Sequence, residues 1–276
     1  MKHVAVMLAG GKGTRLYPLS TDKEPKQFLP LLSDKQMIDE SIDRIKPIYG
    51  DDSIFINSID EYKGYIENKP YKALIEPYGN GTTSSVLFSV LEIMRNYGDC
   101  VITLFPSDHY IEDEDNYRES INKAIDIAID SDNVVLIGVE PEYAEKGYGY
   151  INYKGNKVVE FKEKPDKDKA IQYIENGYLW NSGIFTFKVS VMYDLYKKKQ
   201  DDIRQGFQYA HKKGFLNSYY KNVDIKPDSF EKSIVEKADH ISVVRGRFGW
   251  SDIGDLKRYT KLMNEMRGVS WLEKLS

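Results

Sequence analysis

The chain has 276 residues, of which 41% are hydrophobic and 30% are charged. This composition is typical of a globular protein with enough length for one large α/β domain or two small ones. The formal net charge of -4 gives no overall attraction to nucleic acid or to an anionic membrane, so any anion must be bound locally.

The N-terminal apolar run, residues 3–9, is too short for a signal segment or a membrane span, and Gly10 and Gly11 end it. The single cysteine, Cys100, excludes an intrachain disulfide and lies in an apolar run, where we expect it to be buried. A lone thiol fits a reducing compartment. The sequence therefore predicts a cytoplasmic protein that has neither a membrane nor a nucleic-acid partner.

Apolar, β-rich runs recur through the first half of the chain, with helical spacing between them. In residues 82–96, apolar side chains fall on one helix face, and Thr82 or Thr83 is a good N-cap. Residues 114–130 show the same spacing. Unbroken apolar strands that alternate with helices predict a parallel sheet covered on both faces. The predicted strands are residues 3–8, 53–57, 72–75, 100–105 and 133–139.

The pattern changes after Glu140. Residues 148–165 predict two strands joined by a turn at Gly155 and Asn156. Further along, the sequence predicts strands at 179–188 and 239–246, helices at about 189–213 and 229–237, and a final helix from Asp252 or slightly later. We expect a partial helix at 267–276, in the tail after residue 264. We see no internal boundary, so we predict one domain over 1–276.

A glycine-rich, cationic loop, "AGGKGTRL", follows the first predicted strand. Glycines let backbone N–H groups approach phosphate oxygens, and ligands of doubly wound sheets bind beyond the carboxyl ends of strands. The loop lacks the P-loop spacing, and Leu16 stands where a dinucleotide fingerprint needs its last glycine. A plain turn would explain the glycines alone, but Arg15 and Lys26 make phosphate binding the better interpretation.

The loop, with "PKQFL" after it, resembles the signature of the sugar-1-phosphate nucleotidyltransferases, and most of all the mannose-1-phosphate guanylyltransferases. The resemblance covers roughly residues 3–260. It implies a Rossmann-like α/β fold of the GT-A kind, with a mixed, mostly parallel sheet and helices on both faces. Further matching motifs follow in order: "EPYGNGT", "FPSDHYI", "PEYAEKGYGYI", "FKEKPD", "LWNSGIF", "FEKSIVEKA" and "GWSDIGD".

The resemblance implies that GTP and a sugar 1-phosphate, most often mannose 1-phosphate, react to give GDP-sugar and pyrophosphate. Such a reaction needs charge neutralisation and alignment rather than a covalent intermediate. The implied catalytic residues are Arg15, Lys26, Asp108, Lys164 and Asp252. The implied nucleotide-binding residues are Leu8, Ala9, Gly10, Gly11, Gly13, Thr14, Arg15, Lys26, Thr82, Pro106 and Asp108.

Mg²⁺ is the implied cofactor, with Asp108 and Asp252 as its ligands, since this ion takes one or two carboxylates together with substrate phosphates. A helix N-cap is the alternative role for Asp252. His109 is expected to pack or to form a hydrogen bond, because Mg²⁺ prefers oxygen.

On the sugar-phosphate side, the resemblance implies Gly149, Glu163 and Asn181 at the sugar hydroxyls and Lys164 at the phosphate. Glu145 is a weaker candidate for closing over the sugar. Lys162 alternates to the opposite strand face from Glu163, so we expect it to be exposed.

The sequence departs from the family pattern at Asn80 and Gly81, where relatives usually have Arg-Asn, and at Leu256, where they often have Trp. We therefore expect a guanine preference with some use of a second triphosphate. From its length, we expect the chain to lack the β-helix or cupin-like extension that many relatives carry. We therefore expect no fused isomerase and no regulation through such an extension. A homodimer is one candidate for the oligomeric state.

Three other functions stay open. The chain could use another base or another sugar 1-phosphate, such as a heptose or a glucose ester. A metal-dependent glycosyltransferase would need Asp-x-Asp at a strand end, whereas the acidic residues 112–115 are typical of a solvated helix start. A catalytically silent homologue is the third alternative, and the retained charged residues argue against it.

Overall fold

The computed structural model describes residues 1–214, 216–222 and 229–267. Within them lies one large sheet with helices on both faces, which confirms the predicted fold class. The strands are β1 (His3–Leu8), β2 (Ile54–Ile59), β3 (Lys72–Glu76), β4 (Val101–Pro106), β5 (Tyr110–Ile111), β6 (Val134–Val139), β7 (Gly149–Lys154), β8 (Lys157–Glu163), β9 (Leu179–Lys188), β10 (Ile241–Gly246) and β11 (Trp250–Ser251). The helices are α1 (Met37–Tyr49), α2 (Gly81–Tyr97), α3 (Glu114–Asp130), α4 (Lys167–Glu175), α5 (Val189–Lys199), α6 (Asp201–Lys213), α7 (Leu216–Asn222), α8 (Phe230–Ser233) and α9 (Leu256–Arg267).

The large sheet has the order β3-β2-β1-β4-β9-β6-β10-β8-β7, and β5 and β11 pair separately. The pairs β3–β2, β2–β1, β1–β4 and β6–β10 are parallel, whereas β9 is antiparallel to both of its main neighbours. The chain leaves β1 toward β2 and later returns to its other side as β4. The topological switch therefore lies between β1 and β4, where ligands bind in open α/β sheets.

The core lies on both faces of this sheet, and β1 shows how the sequence directs it. Ala5 and Met7 face a cluster that contains side chains of α1 and α3, while Val4 and Val6 face a cluster that contains side chains of α2 and α5. An unbroken apolar strand is thus buried on both sides, as expected for a covered parallel sheet. Cys100 is buried as predicted, and burial raises the pKa of its thiol to about 11.

Several boundaries differ from the sequence-based prediction. Helix α2 begins at Gly81 with Asn80 at its N-cap position, so the predicted cap at Thr82 or Thr83 was wrong. The segment at 189–213 is two helices that break at Gln200. Helices α1, α4 and α7 and the β5–β11 pair are present in addition to the predicted elements.

At the C-terminal end, α9 begins at Leu256, and Asp255 rather than Asp252 accepts the capping hydrogen bond from the Arg258 N–H, at 2.9 Å. The predicted partial helix at 267–276 lies almost entirely outside the described residues. None of the helices in the described ranges is long and apolar enough to span a membrane.

Candidate active site

A cleft of about 1160 Å³ lies at the carboxyl ends of the central strands. Its walls carry Gly10, Gly11 and Gly13 from the loop after β1, Asp108 from the segment after β4, and Asp252 from the segment after β11. Leu8 and Pro106, the last residues of β1 and β4, pair in register and also line it. Parallel pairing therefore brings the glycine loop and Asp108 to one edge of the sheet, at the topological switch.

The conformation of the glycine loop requires a glycine at Gly13. Its φ is 63°, and a Cβ there would lie 2.8 Å from the Cβ of Lys26. The backbone of the loop thus packs directly against the segment that carries Lys26. The Ser20 hydroxyl donates to the Gly13 carbonyl at 2.6 Å and helps to hold this turn.

The loop presents cations to the cleft. Lys12 and Arg15 are exposed and line its wall, and Arg15 forms no ion pair within the described residues. Two predicted nucleotide-binding residues do not reach the wall. Ala9 is buried and its carbonyl accepts from Gln27 and Ser58, while Thr14 is exposed beside the cleft rather than on its lining.

Lys26 connects the two predicted metal-binding residues, Asp108 and Asp252. The residue is buried, with 4% exposure, and its Nζ lies 3.1 Å from Asp108 Oδ2 and 2.5 Å from the backbone carbonyl oxygen of Asp252. A buried ammonium needs such partners, because desolvation without them is costly. Asp108 therefore balances the charge of Lys26 within the site, and the contacts of Lys26 link the segments after β4 and β11.

His109, beside Asp108, packs and forms a hydrogen bond, as predicted. Its Nδ1 accepts from the Trp250 indole N–H at 3.0 Å, and its Nε2 lies 4.0 Å from Asp108 Oδ1. Burial lowers the pKa of His109 to about 4, although the charges of Asp108 and Asp252 act against this shift. The ring is therefore neutral at physiological pH.

Asp252 is surrounded by donors. Its Oδ1 accepts from the Tyr148 hydroxyl at 2.7 Å, from the Gly254 N–H at 3.0 Å and from Arg258 Nη1 at 2.8 Å. Burial alone would raise the pKa of Asp252, but the charge of Arg258 and the hydrogen bonds from Tyr148 and Arg258 outweigh it, so the pKa lies below its ordinary value. The next residue, the buried Ile253, has φ 45°. A β-branched residue takes this conformation only where its surroundings enforce it.

The donor set at Asp108 and Asp252 fits Mg²⁺ in its chemistry, because both groups are carboxylates on the cleft wall. No group of three or more His, Cys, Asp or Glu side chains in the described ranges is placed to hold a metal ion. A site with two carboxylates would therefore leave coordination positions to water or to substrate phosphates. The ionised state of Asp252 suits such a role, whereas its Oδ1 is already engaged.

The predicted sugar-phosphate residues also come together. A Cβ on Gly149 would lie 2.8 Å from Glu163 Oε2 and 3.3 Å from the Cβ of Asn181, so only glycine leaves this approach open. Lys164 Nζ donates to Glu163 Oε1 at 2.6 Å. Lys164 itself has φ 49°, an uncommon conformation for a residue with a side chain. All four residues line the cleft, while Lys162 is exposed as expected.

Glu163 lies among other acidic groups. Burial raises its pKa, and the charge of Glu231 adds to this, while Lys164 lowers it. Its backbone N–H donates to Glu236 Oε1 at 2.9 Å. Glu231 and Glu236 belong to the "FEKSIVEKA" motif, and Glu231 lines the cleft. The sequence pattern alone assigned no role to either residue.

The remaining end of the cleft lies beyond β2 and β3. The departure from the family pattern falls here: Asn80 Nδ2 donates to the backbone carbonyl of Tyr220 at 3.3 Å, and Gly81 has φ 81°. Thr82 lines the cleft, and its hydroxyl accepts from the Phe230 N–H at 2.9 Å. The other residues that line this end of the cleft include Asn57, Ile59, Asp60, Glu61, Tyr78, Ser85 and Asn217.

The structure adds site residues that sequence reasoning missed. Tyr148 and Trp250 line the cleft, with ring centroids 5.0 Å apart, and Trp250 also packs on His109 at 5.3 Å. Both lie within motifs of the family resemblance, beside residues that were predicted. Aromatic residues next to a family motif are the signal that could have identified them. Arg258 lies in a stretch with no such signal.

The chain is similar to known proteins over most of its length. Residues 4–268 match the family described as Nucleotidyl transferase. The xanthan biosynthesis protein XanB of Xanthomonas campestris pv. campestris is 34% identical over 266 residues, which cover 90% of this chain and 57% of that protein. A mannose-1-phosphate guanylyltransferase of Salmonella muenchen is 31% identical over 276 residues, which cover 92% of this chain and 58% of that protein.

Among solved structures, one from Thermus thermophilus, described as a mannose-1-phosphate geranyltransferase, superposes with a TM-score of 0.87 at 29% identity. The superposition covers 95% of this chain and 79% of that chain. The chain thus spans a little over half the length of the two relatives compared by sequence. It spans a larger share, 79%, of the chain in the solved structure. Because the family match runs through nearly the whole of the described fold, the chain belongs to the nucleotidyl transferase family.

Proposed function

We propose that this chain transfers GMP from GTP to mannose 1-phosphate, giving GDP-mannose and pyrophosphate. One observation supports this most strongly: a single cleft carries the cationic glycine loop, the two carboxylates at strand ends, and the four residues of the predicted sugar-phosphate set. The choice of guanine and mannose follows the name of a relative that is 31% identical. This chain covers only 57% and 58% of the two relatives compared by sequence, so their names alone do not establish its activity.

In the proposed reaction, a phosphate oxygen of the sugar 1-phosphate forms a bond to the α-phosphorus of GTP, and the bond from that phosphorus to the bridging oxygen breaks in line. Pyrophosphate leaves with the electron pair. Both reactants are polyanions, so the protein contributes mainly by positioning them and by neutralising charge.

The proposed triphosphate site is the glycine loop. Gly11 leaves its backbone open, since a Cβ there would meet no atom within 4 Å in the described residues. Arg15 supplies a guanidinium that can contact two phosphate oxygens at once. Lys12 adds a second exposed charge on the same wall. In this assignment, Arg15 stabilises the negative charge that grows on the leaving pyrophosphate.

We propose Mg²⁺ as the cofactor, held by Asp108 and by substrate phosphate oxygens, with Asp252 as the second carboxylate. When bound, the ion supplies positive charge at the phosphates. Lys26, which contacts Asp108 at 3.1 Å, keeps that carboxylate oriented and balanced before the ligands arrive. Tyr148 and Arg258 do the same for Asp252.

On the sugar side, Glu163 and Asn181 offer the acceptors and donors that hydroxyl groups need, and Gly149 gives the sugar room to approach. Lys164 provides the charge for the sugar phosphate, although its Nζ now pairs with Glu163. A phosphate that binds there would compete with Glu163 for this ammonium.

Base selection is proposed to favour guanine without being strict. Asn80 turns its amide to the Tyr220 carbonyl, and Gly81 has no side chain, so this segment offers the base fewer fixed groups than Arg-Asn would. A pocket with few unpaired polar groups discriminates weakly between bases. ATP, the other purine triphosphate, is the expected second substrate.

The test is a panel of GTP, ATP, UTP and dTTP against mannose 1-phosphate and glucose 1-phosphate, followed by pyrophosphate release. We expect the highest kcat/KM for GTP with mannose 1-phosphate. A preference for UTP or dTTP would overturn the guanylyl assignment, and no reaction with any pair would favour a silent homologue. We also propose a cytoplasmic location and leave the homodimer as a candidate, to be tested by cell fractionation and by light scattering.

A further inference from the structure

Arg258, on α9, makes more ionic contacts than any role in helix stability requires. Its Nη1 lies 2.8 Å and 2.9 Å from the two carboxylate oxygens of Asp252, its Nη2 lies 3.2 Å from Glu145 Oε1, and its Nε lies 3.4 Å from Asp255 Oδ2. The side chain is 11% exposed. One partly buried guanidinium therefore faces three carboxylates from two separate segments of the chain.

The guanidinium stands directly behind the cleft wall. A Cβ on Gly254 would lie 2.5 Å from Arg258 Nη1 and 2.5 Å from Asp252 Oδ2, and a Cβ on Gly147 would lie 3.1 Å from Arg258 Nη2. Both glycines line the cleft. Their missing side chains are what lets Arg258 come this close to the backbone on either side.

The contacts leave the two oxygens of Asp252 in different states. Oδ1 accepts from Tyr148, Gly254 and Arg258, which occupies its lone-pair directions, while Oδ2 accepts from Arg258 alone in the described residues. The carboxylate cannot rotate without breaking several of these bonds. Asp252 therefore offers Oδ2, in a fixed direction, as the oxygen with remaining capacity for a ligand.

The same guanidinium contacts the turn before β7. Glu145 Oε1 accepts from the Gly147 N–H at 2.7 Å and forms an ion pair with Arg258 Nη2 at 3.2 Å. This turn leads through Tyr148 into Gly149, where the predicted sugar-phosphate set begins. Arg258 consequently links the wall that carries Asp252 to the wall that would receive the sugar.

We propose that Arg258 is a positioning residue for the transfer reaction, which holds the Asp252 carboxylate and the Glu145–Gly147 turn as one unit. The inference rests on the proposed function only where it concerns the sugar phosphate. The proposal also covers a divalent cation bound by the Asp252 carboxylate. Mutating a residue that orients a metal-binding carboxylate typically costs about 10- to 100-fold in metal affinity or activity.

The experiment compares Arg258→Gln and Arg258→Lys with Lys261→Gln, a matched control. Lys261 lies on the same helix, and its ammonium is half-exposed and pairs with Glu142. Mn²⁺ binding is measured by electron paramagnetic resonance on the protein without substrates, and thermal unfolding reports whether each variant folds. Steady-state kinetics with GTP and mannose 1-phosphate then give kcat and both KM values.

We expect Arg258→Gln to weaken Mn²⁺ binding about 10- to 100-fold and to raise the KM for the sugar phosphate. Arg258→Lys should fall between it and the wild type, because a point charge cannot make the two-sided contact, and Lys261→Gln should match the wild type. Glu145→Gln should raise the KM for the sugar phosphate and leave Mn²⁺ binding unchanged, since it loosens only the turn.

Folded Arg258→Gln protein with wild-type Mn²⁺ affinity would overturn the proposal, as would wild-type protein that binds no Mn²⁺ or binds it equally well after Asp252→Asn. If the Gln variant does not fold, a folded Lys variant with wild-type Mn²⁺ affinity and KM overturns it instead. Because Mn²⁺ binding is read without turnover, a protein that transfers no nucleotide would refute the proposed function and still report on Arg258.

Discussion

Glu76, the last residue of β3, should make the stability of this protein depend on pH near neutrality. Its side chain is fully buried, and its Oε2 accepts from the Tyr220 hydroxyl at 2.8 Å. Burial raises the pKa of Glu76 from 4.5 to about 7, against the opposing effect of hydrogen bonds from Ser85, Tyr220 and Asn57. The folded protein therefore binds this proton more tightly than the unfolded chain does.

The sign of the effect follows from that difference. The contribution of Glu76 to the free energy of unfolding is fully present below pH 4.5 and is lost as the pH rises through about 7. An interval from 4.5 to about 7, at 1.36 kcal/mol for each pH unit, corresponds to about 3 kcal/mol. Glu76→Gln keeps the shape and an acceptor for Tyr220 but carries no titratable proton, so this loss should disappear.

Urea unfolding of the wild type and Glu76→Gln, followed by circular dichroism from pH 4.5 to pH 8, measures the effect. Other carboxylates titrate alike in both proteins, so the difference in unfolding free energy isolates Glu76. It should shift in favour of the Gln variant by about 2–3 kcal/mol across this range. Glu175→Gln, at an exposed position on α4, is the control and should run parallel to the wild type.

A difference between Glu76→Gln and the wild type that stays constant with pH would refute this reasoning. It would mean that Glu76 is ionised in the folded protein throughout, with its charge stabilised by Tyr220 and its neighbours. A shift in the opposite direction would mean that the charged form is the one that the fold prefers.

Three further predictions concern the cleft. Asp108→Ala should lower kcat at least about a hundredfold and leave the urea midpoint near that of the wild type; a near-normal rate in the presence of chelator would contradict it. Arg15→Ala should lower kcat by a factor equivalent to about 3 kcal/mol, with little change in the KM for the sugar phosphate. A raised KM for the sugar phosphate with an unchanged kcat would contradict the role assigned to Arg15. Gly13→Ala should destabilise the fold by more than about 1 kcal/mol, because φ is 63° and the new Cβ would lie 2.8 Å from that of Lys26; calorimetry that shows no loss would contradict the close packing.

Local sequence signals predicted the parts of the fold that depend on local pattern. The double-sided burial of β1, the helix at 114–130 and the turn at Gly155 all follow from spacing or from turn residues, and all three are confirmed. The predicted start of α2 was wrong because, from the sequence alone, Thr82 is as good an N-cap residue as Asn80. The Thr82 hydroxyl instead accepts from Phe230, 148 residues away.

The candidate site shows the same division. The motifs predicted which residues line the cleft, and the structure brings most of them together. The contacts among them could not be predicted, because Lys26 and Asp252 are 226 residues apart, and Tyr148 and Arg258 are 110 residues apart. Such pairs depend on the topology of the whole sheet, which places the segments after β4, β8 and β11 at one edge. Arg258 lies just beyond the last matching motif, and only its contacts in the folded protein single it out.

These contacts also balance much of the charge that lines the cleft. Lys26 pairs with Asp108, Lys164 with Glu163 and Arg258 with Asp252, so each of these three cations has a counter-charge in the site. Among the predicted catalytic cations, Arg15 alone forms no ion pair within the described residues. A triphosphate would therefore meet Arg15 first at no cost in broken pairs. It would then have to compete with Asp108 for Lys26, and the sugar phosphate with Glu163 for Lys164, so that full charge neutralisation at the phosphates would come only when both substrates are bound.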